Sequence, residues 1–254
     1  MIGGRAFALP LNLIAGAADM DYGRRALIID NSDTGRAGAW FLDCLRGNGS
    51  AAVKYRDQAL PEEPPWGAVI ISGSERSVFE DTEWIAAQME MVRRRAAEKL
   101  PVLGACFGHQ LIFRALYGKD ALVRRPVPEA GWVPVALGAD PLFVGLPRVI
   151  TPYNFHFDQV LPPAADWDIL ATSETCPVHA ARHRRLPFLG LQFHAEITPA
   201  EGVLGYERGR ASLEAHGVDV DAFLASPPKG PRHYPIIIKR FVTEALSRPG
   251  PEIP

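Results

Sequence analysis

Between residues 25 and 117, short apolar runs alternate with helix-like stretches. That alternation confines the chain to an α/β architecture. Arg25-Ala-Leu-Ile-Ile-Asp30 is apolar between polar ends and reads as a buried strand. Turn chemistry at Asn31 to Gly35 leads into a helix over 36–46, closed by Gly47. Strands follow at 51–55 and 67–71, on either side of a Pro-rich loop at 61–65. Asp81 or Thr82 can cap the next helix, whose core face is Ile85, Met89, Val92 and Ala96. Pro101 ends that helix and opens a fourth strand, 101–105; a helix over 107–117 runs up to Gly118. The pattern predicts a mainly parallel open sheet with helices on both faces, the strand C-termini lining one edge.

Beyond residue 120 the pattern changes to shorter strands, expected at 121–125, 132–137, 168–172 and 188–193. A last helix fits 236–247, after a Pro/Gly-rich loop at 226–235. The expected organisation is an N-terminal extension (1–24), one domain (25–247) and a C-terminal tail (248–254). The mildly apolar run after Arg5 is broken by Pro10 and Asn12, so it reads as an extension and not as a secretory leader. No run approaches the ~18 apolar residues of a membrane span. With 27 Lys+Arg against 29 Asp+Glu, the chain lacks the basic excess of a nucleic-acid binder. Three cysteines form no disulfide framework, and a reducing, cytoplasmic compartment is expected.

The sharpest local feature is Gly104-Ala-Cys-Phe-Gly-His-Gln110, at a strand-to-helix junction. A nucleophile on such a tight turn needs small neighbours, which Gly104 and Gly108 supply. Cys106 then stands at the start of the 107–117 helix, where unpaired N–H groups favour negative charge. The Phe107 N–H is placed to donate to an oxyanion. A nucleophilic Cys needs a base and an orienting group. Gln192-Phe-His-Ala-Glu196 offers both, because residues two apart on an extended segment face the same side. His194 and Glu196 can therefore share a site with Cys106. The same residue types leave two other readings open: a buried structural Cys, and a Cys/His/Glu metal site. Cys44 reads as helix core, Cys176 as a loop thiol with no His-x-Glu partner, and His109 as structural.

Together the two motifs resemble class I (triad-type) glutamine amidotransferases. The likeness is to the amidotransferase domain of GMP synthase and its stand-alone relatives. Ile70-Ile-Ser-Gly-Ser74, Ser77 to Asp81, and Phe155 to Pro162 agree in order with the family's further segments. The resemblance implies a triad of Cys106, His194 and Glu196, with Gly73 and Phe107 N–H groups as oxyanion donors. It places Gln110 against the glutamyl group of the substrate, and His156 and Phe157 at its amino-acid end. Ala195 stands where the family often has Pro, and Phe157 replaces a residue that is small in close relatives. The implied chemistry is hydrolysis of glutamine to glutamate and ammonia through a γ-glutamyl thioester, with no metal or organic cofactor. A stand-alone γ-glutamyl hydrolase or peptidase, and a non-catalytic regulatory or binding protein, are the alternatives. No Gly-x-x-x-x-Gly-Lys-Ser/Thr loop is present, and the stretch after Glu196 is short for an ATP-using domain. An ammonia-accepting synthase is therefore expected on a separate polypeptide.

Overall fold

The computed structural model describes residues 25–47, 50–58, 66–162, 166–225 and 233–248. The N-terminal extension, the Pro-rich loop at 61–65, the 226–232 part of the later loop and the end from 249 lie outside the described residues.

Five strands form the parallel half of the main sheet: β1 (Arg25–Asp30), β2 (Ser50–Tyr55), β3 (Ala68–Ile71), β4 (Val102–Ala105) and β11 (Phe188–Leu191). Four more continue it antiparallel: β6 (Val135–Leu137), β7 (Val149–Ile150), β9 (Trp167–Thr172) and β10 (Ala180–His183). The order is β2-β1-β3-β4-β11-β10-β9-β6-β7. A separate two-stranded sheet pairs β5 (Leu122–Trp132) with β8 (Tyr153–Val160), its register broken between Arg124 and Glu129.

The strand period of two sorts β1 between two cores. Ala26 and Ile28 pack with Phe41 of α1 (Ala37–Leu45) and Ile237 and Phe241 of α6 (Pro235–Leu246). Leu27 and Ile29 pack on the opposite face with Val92 of α2 (Glu83–Ala97) and Leu111 of α3 (Phe107–Tyr117). This is the doubly covered α/β sheet expected of the sequence. The α2 stripe is rotated from its expected position. Gln88, Met91 and Arg95 are buried beside Ile85 and Val92, while Met89 and Ala96 sit at the margin. Both polar residues make side-chain hydrogen bonds there. Gln88 exchanges two hydrogen bonds with Asn31, at 2.7 and 3.0 Å, and Arg95 donates to the carbonyls of Trp66 and Pro101.

Two expectations past residue 120 need correction. The stretch 132–137 is not one strand, because Trp132 ends β5 and Val135 begins β6 in a different sheet. Pro134, which has no N–H to donate, lies between them. A long helix, α4 (Pro199–Ala215), follows the His-x-Glu segment where none is expected; a short one, α5 (Val220–Ala225), comes after it. The α4 contact face combines the buried Tyr206 and Leu213 with glycines. A Cβ on Gly202 would stand 2.5 Å from the Trp132 ring, and one on Gly209 2.3 Å from the Phe155 ring. The helix seats against the aromatic face of the β5–β8 sheet because these positions are empty. Trp132, Tyr153 and Tyr206 form the third core there.

Candidate active site

β3, β4 and β11 are adjacent and parallel, so their C-terminal ends open on one edge. Gly73 follows β3, Cys106 follows β4 and His194 follows β11. The sheet order thus brings together three short segments that are far apart in sequence.

Cys106 has φ of 50° and ψ of −106°, left-handed backbone on a non-glycine residue. Its N–H donates to the Leu191 carbonyl at 2.7 Å, and α3 begins at the next residue. The turn is as tight as the sequence requires. A Cβ on Gly104 would lie 2.3 Å from the Gly108 carbonyl oxygen, and one on Gly108 2.2 Å from that of Ile71.

His194 and Glu196 are both buried, and Glu196 Oε1 lies 2.6 Å from His194 Nδ1. The His194 N–H donates to the Tyr153 carbonyl at 3.1 Å, and the Tyr153 ring packs edge-on against the imidazole. Burial pushes the imidazole towards neutrality. The Glu196 carboxylate, followed by the Cys106 sulfur hydrogen-bonded to the ring, outweighs it and lifts the pKa to about 10. Gly73 faces the sulfur–imidazole pair. A Cβ built there would be 2.7 Å from His194 Cε1, and 3.5 Å from both His194 Nε2 and Cys106 Cβ.

The Gly73 loop is fixed from two sides. The Asn31 N–H donates to Ser72 Oγ, and Ser74 Oγ donates to the Asn31 carbonyl. On the other side, Asp158 of β8 accepts from Ser77 Oγ at 2.6 Å and from the Val78 N–H at 3.2 Å.

The remaining expected residues divide. Phe107 is buried, its ring against Trp84. Gln110 borders the cleft, but its side-chain NH₂ donates to the Asp158 carbonyl at 2.6 Å and to Gln192 Oε1 at 3.2 Å. His156 and Phe157 also border the cleft, yet strand alternation sends their side chains opposite ways. The Phe157 ring is held between the Arg124 guanidinium and the His216 ring, with centres 4.8 and 4.7 Å away. The His156 ring turns into the protein, its Nε2 2.9 Å from Glu129 Oε2. His109 is fully buried, and burial lowers its pKa to about 3, so its ring is neutral. Burial pushes the Cys44 thiol up to about 12 and the Cys176 thiol higher still.

Over this group lies a cleft of about 550 Å³. Cys106, His194 and Gly73 form its floor, and Glu201, Arg208 and Gly209 of α4 one wall. Tyr153 and the α4 wall are the parts that sequence reasoning missed. The traces of α4 in the sequence are its start signal, Thr198-Pro-Ala-Glu201, and the glycine spacing at 202, 205 and 209.

A sulfur on a strained strand–helix turn, an imidazole from the next parallel strand and a carboxylate behind it define an α/β protein of the Cys-His-Glu type. The family model for glutamine amidotransferase class-I matches residues 42–206, and the chain belongs to that family. A glutamine-hydrolysing GMP synthase subunit from Pyrococcus abyssi is 42% identical over 105 residues, 40% of this chain and 54% of that one. The corresponding subunit from Sulfurisphaera tokodaii is 31% identical over 147 residues, 56% of this chain and 76% of the relative. The chain spans little more than half the length of the first curated relatives it matches. A glutamine amidotransferase from Thermotoga maritima superposes with a TM-score of 0.72 at 19% identity, over 88% of this chain and 98% of its own. One from Methylobacillus flagellatus gives 0.69 at 22% identity, over 91% and 98%. At these identities the structural likeness is one of fold. Among the described residues no helix is long and apolar enough to cross a membrane.

Proposed function

We propose that the chain hydrolyses the side-chain amide of glutamine, with Cys106, His194 and Glu196 as its triad. The observation that carries this reading is the convergence of the Cys106 turn and the Glu196-held His194 around Gly73. The Cys106 sulfur attacks the γ-carbonyl carbon. The Gly73 and Phe107 N–H groups receive the negative charge that develops on oxygen; one such donor is worth ~3 kcal/mol of barrier. His194 passes its proton to the departing nitrogen, and ammonia leaves a γ-glutamyl thioester. His194 then takes a proton from water, the water oxygen attacks the thioester, and glutamate is released with Cys106 restored. Glu196 holds the imidazole orientation and favours its protonated form. Phe157 and Gln110 border the substrate's place, while His156 supports the cleft from below. Ammonia passes to a synthase on a separate polypeptide, in keeping with the names of the relatives, each of which is one subunit of a GMP synthase.

The test is ammonia release from glutamine by the purified chain, beside a γ-glutamyl dipeptide and the Cys106→Ala variant. Turnover of glutamine that is lost in Cys106→Ala supports the proposal. Turnover of the dipeptide alone replaces glutamine with a γ-glutamyl peptide as substrate. Full activity in Cys106→Ala overturns the mechanism.

A further inference from the structure

Beneath the cleft floor lies a second constellation that the proposed reaction does not use. Glu129 of β5, His156 of β8, and Cys176 and His179 from the segment joining β9 to β10 are all buried. Their ligand atoms lie within 4.8 Å of one another. Hydrogen bonding accounts for part of this group. Glu129 Oε1 accepts from Ser173 Oγ and Thr175 Oγ1, and Glu129 Oε2 meets His156 Nε2 at 2.9 Å. It does not account for His179. Its Nε2 lies 2.7 Å from Glu129 Oε2, but the ring is not aligned for a hydrogen bond, and neither ring nitrogen has a hydrogen-bond partner among the described residues. A fully buried imidazole aimed off-axis at a carboxylate, with a thiol beside both, is the arrangement of co-ligands around a shared centre.

We infer that Glu129, His156, Cys176 and His179 form a closed four-ligand site for a divalent transition-metal ion, zinc above all. The donor set of two imidazole nitrogens, one thiolate and one carboxylate is a zinc set. Its charge balances: thiolate and carboxylate together cancel the dication, leaving no net charge buried. The supporting groups are also in place. Ser173 and Thr175 orient the carboxylate through its other oxygen, and the Val178 N–H donates to the Cys176 sulfur. Donors around a tetrahedral zinc stand ~3.5 Å apart, so the Glu129–His distances need open by less than ~1 Å. Four protein ligands leave no open position, which makes the ion structural. It would clip the β5–β8 sheet to the antiparallel half of the main sheet, directly under Phe157 and Tyr153.

The test uses the untagged full chain. Zinc near one equivalent by elemental analysis, surviving dialysis, supports the site. So does a thiolate-to-metal charge-transfer band with intense d–d bands on adding Co²⁺ to chelator-stripped protein. His179→Gln and Cys176→Ser should lose the bands, whereas Cys106→Ser should keep them. A folded wild-type chain that carries no zinc, binds no Co²⁺ and melts at the same temperature with and without zinc overturns the site. Bands lost in Cys106→Ser and kept in Cys176→Ser also overturn it, because they put the ion at the cleft. Should either ligand variant fail to fold, the wild-type measurements decide alone.

Discussion

Replacing Gly73 with Ala probes the site through a single methyl group. Gly73 does not have a left-handed φ, so Ala fits the backbone there and its N–H is kept. The added Cβ is 2.7 Å from His194 Cε1, inside any real carbon–carbon contact. Backing away to ordinary van der Waals distance requires a shift of ~1 Å. The imidazole cannot make it freely, because Glu196 holds Nδ1 at 2.6 Å and the Tyr153 carbonyl holds the backbone at 3.1 Å. A misplacement of ~1 Å in a reacting group costs ~100-fold in rate, equivalent to ~2.7 kcal/mol. Gly73→Ala should therefore lower kcat for glutamine hydrolysis ~100-fold, and lower the melting temperature through the ~1–3 kcal/mol cost of an overpacked contact. Steady-state ammonia release and circular dichroism melting read the two quantities. A kcat within twofold of wild type would refute the placement of His194 beside Gly73.

Three further outcomes follow from the same geometry. Because the folded-state pKa of His194 is raised from 6.5 to about 10, its contribution to stability is complete below pH 6.5 and is lost as pH rises through about 10. Glu196→Gln removes the main cause of the raised value, so the wild-type advantage in melting temperature should shrink between those pH values; a constant gap contradicts the pairing. Asp158→Asn weakens the anchoring of Ser77 and Val78 and the ion pair with Arg124, and should lower kcat tenfold or more by loosening the Gly73 loop. Unchanged kinetics would release Asp158 from that positioning role. Cys106→Gly and Cys106→Ala should both be inactive, but Gly accepts φ of 50° where Ala is strained. Strain of ~1–3 kcal/mol exceeds the entropic cost of Gly, so the Gly variant should melt higher than the Ala variant; the reverse order contradicts a strained turn.

The sequence made the parallel half of the sheet legible because each of its strands is an apolar run punctuated by turn residues. Cys106 and His194 stood out because their chemistry is written in contiguous motifs. Legibility failed where packing inverted the usual pattern. α4 has only a sparse apolar stripe, Tyr206 and Leu213, since much of its contact face is glycine set against Trp132, Tyr153 and Phe155. The α2 stripe departs from expectation because Gln88 and Arg95 are buried on side-chain hydrogen bonds, which apolar periodicity cannot register. Glu129, His156, Cys176 and His179 share no motif, and only the β5–β8 register and the β9–β10 connection bring them together.

β8 lies outside the main sheet, yet it holds the His194 backbone, Gln110 and the loop that follows Gly73. The Tyr153 carbonyl holds the His194 N–H, the Asp158 carbonyl accepts from Gln110, and the Asp158 carboxylate ties down the loop that carries Gly73. Cys106 is fixed by the central strands, through the Leu191 carbonyl and the glycines on either side. The nucleophile is therefore held by the main sheet, whereas the base, carried past the end of β11, is held by β8 as well. A displacement of the β5–β8 pair would pull on the His194 backbone and on the loop after Gly73, and not directly on the sulfur. Such a displacement lowers kcat without altering a triad group. The Glu129 cluster joins β5 and β8 to the β9–β10 connection, so the proposed ion would resist it.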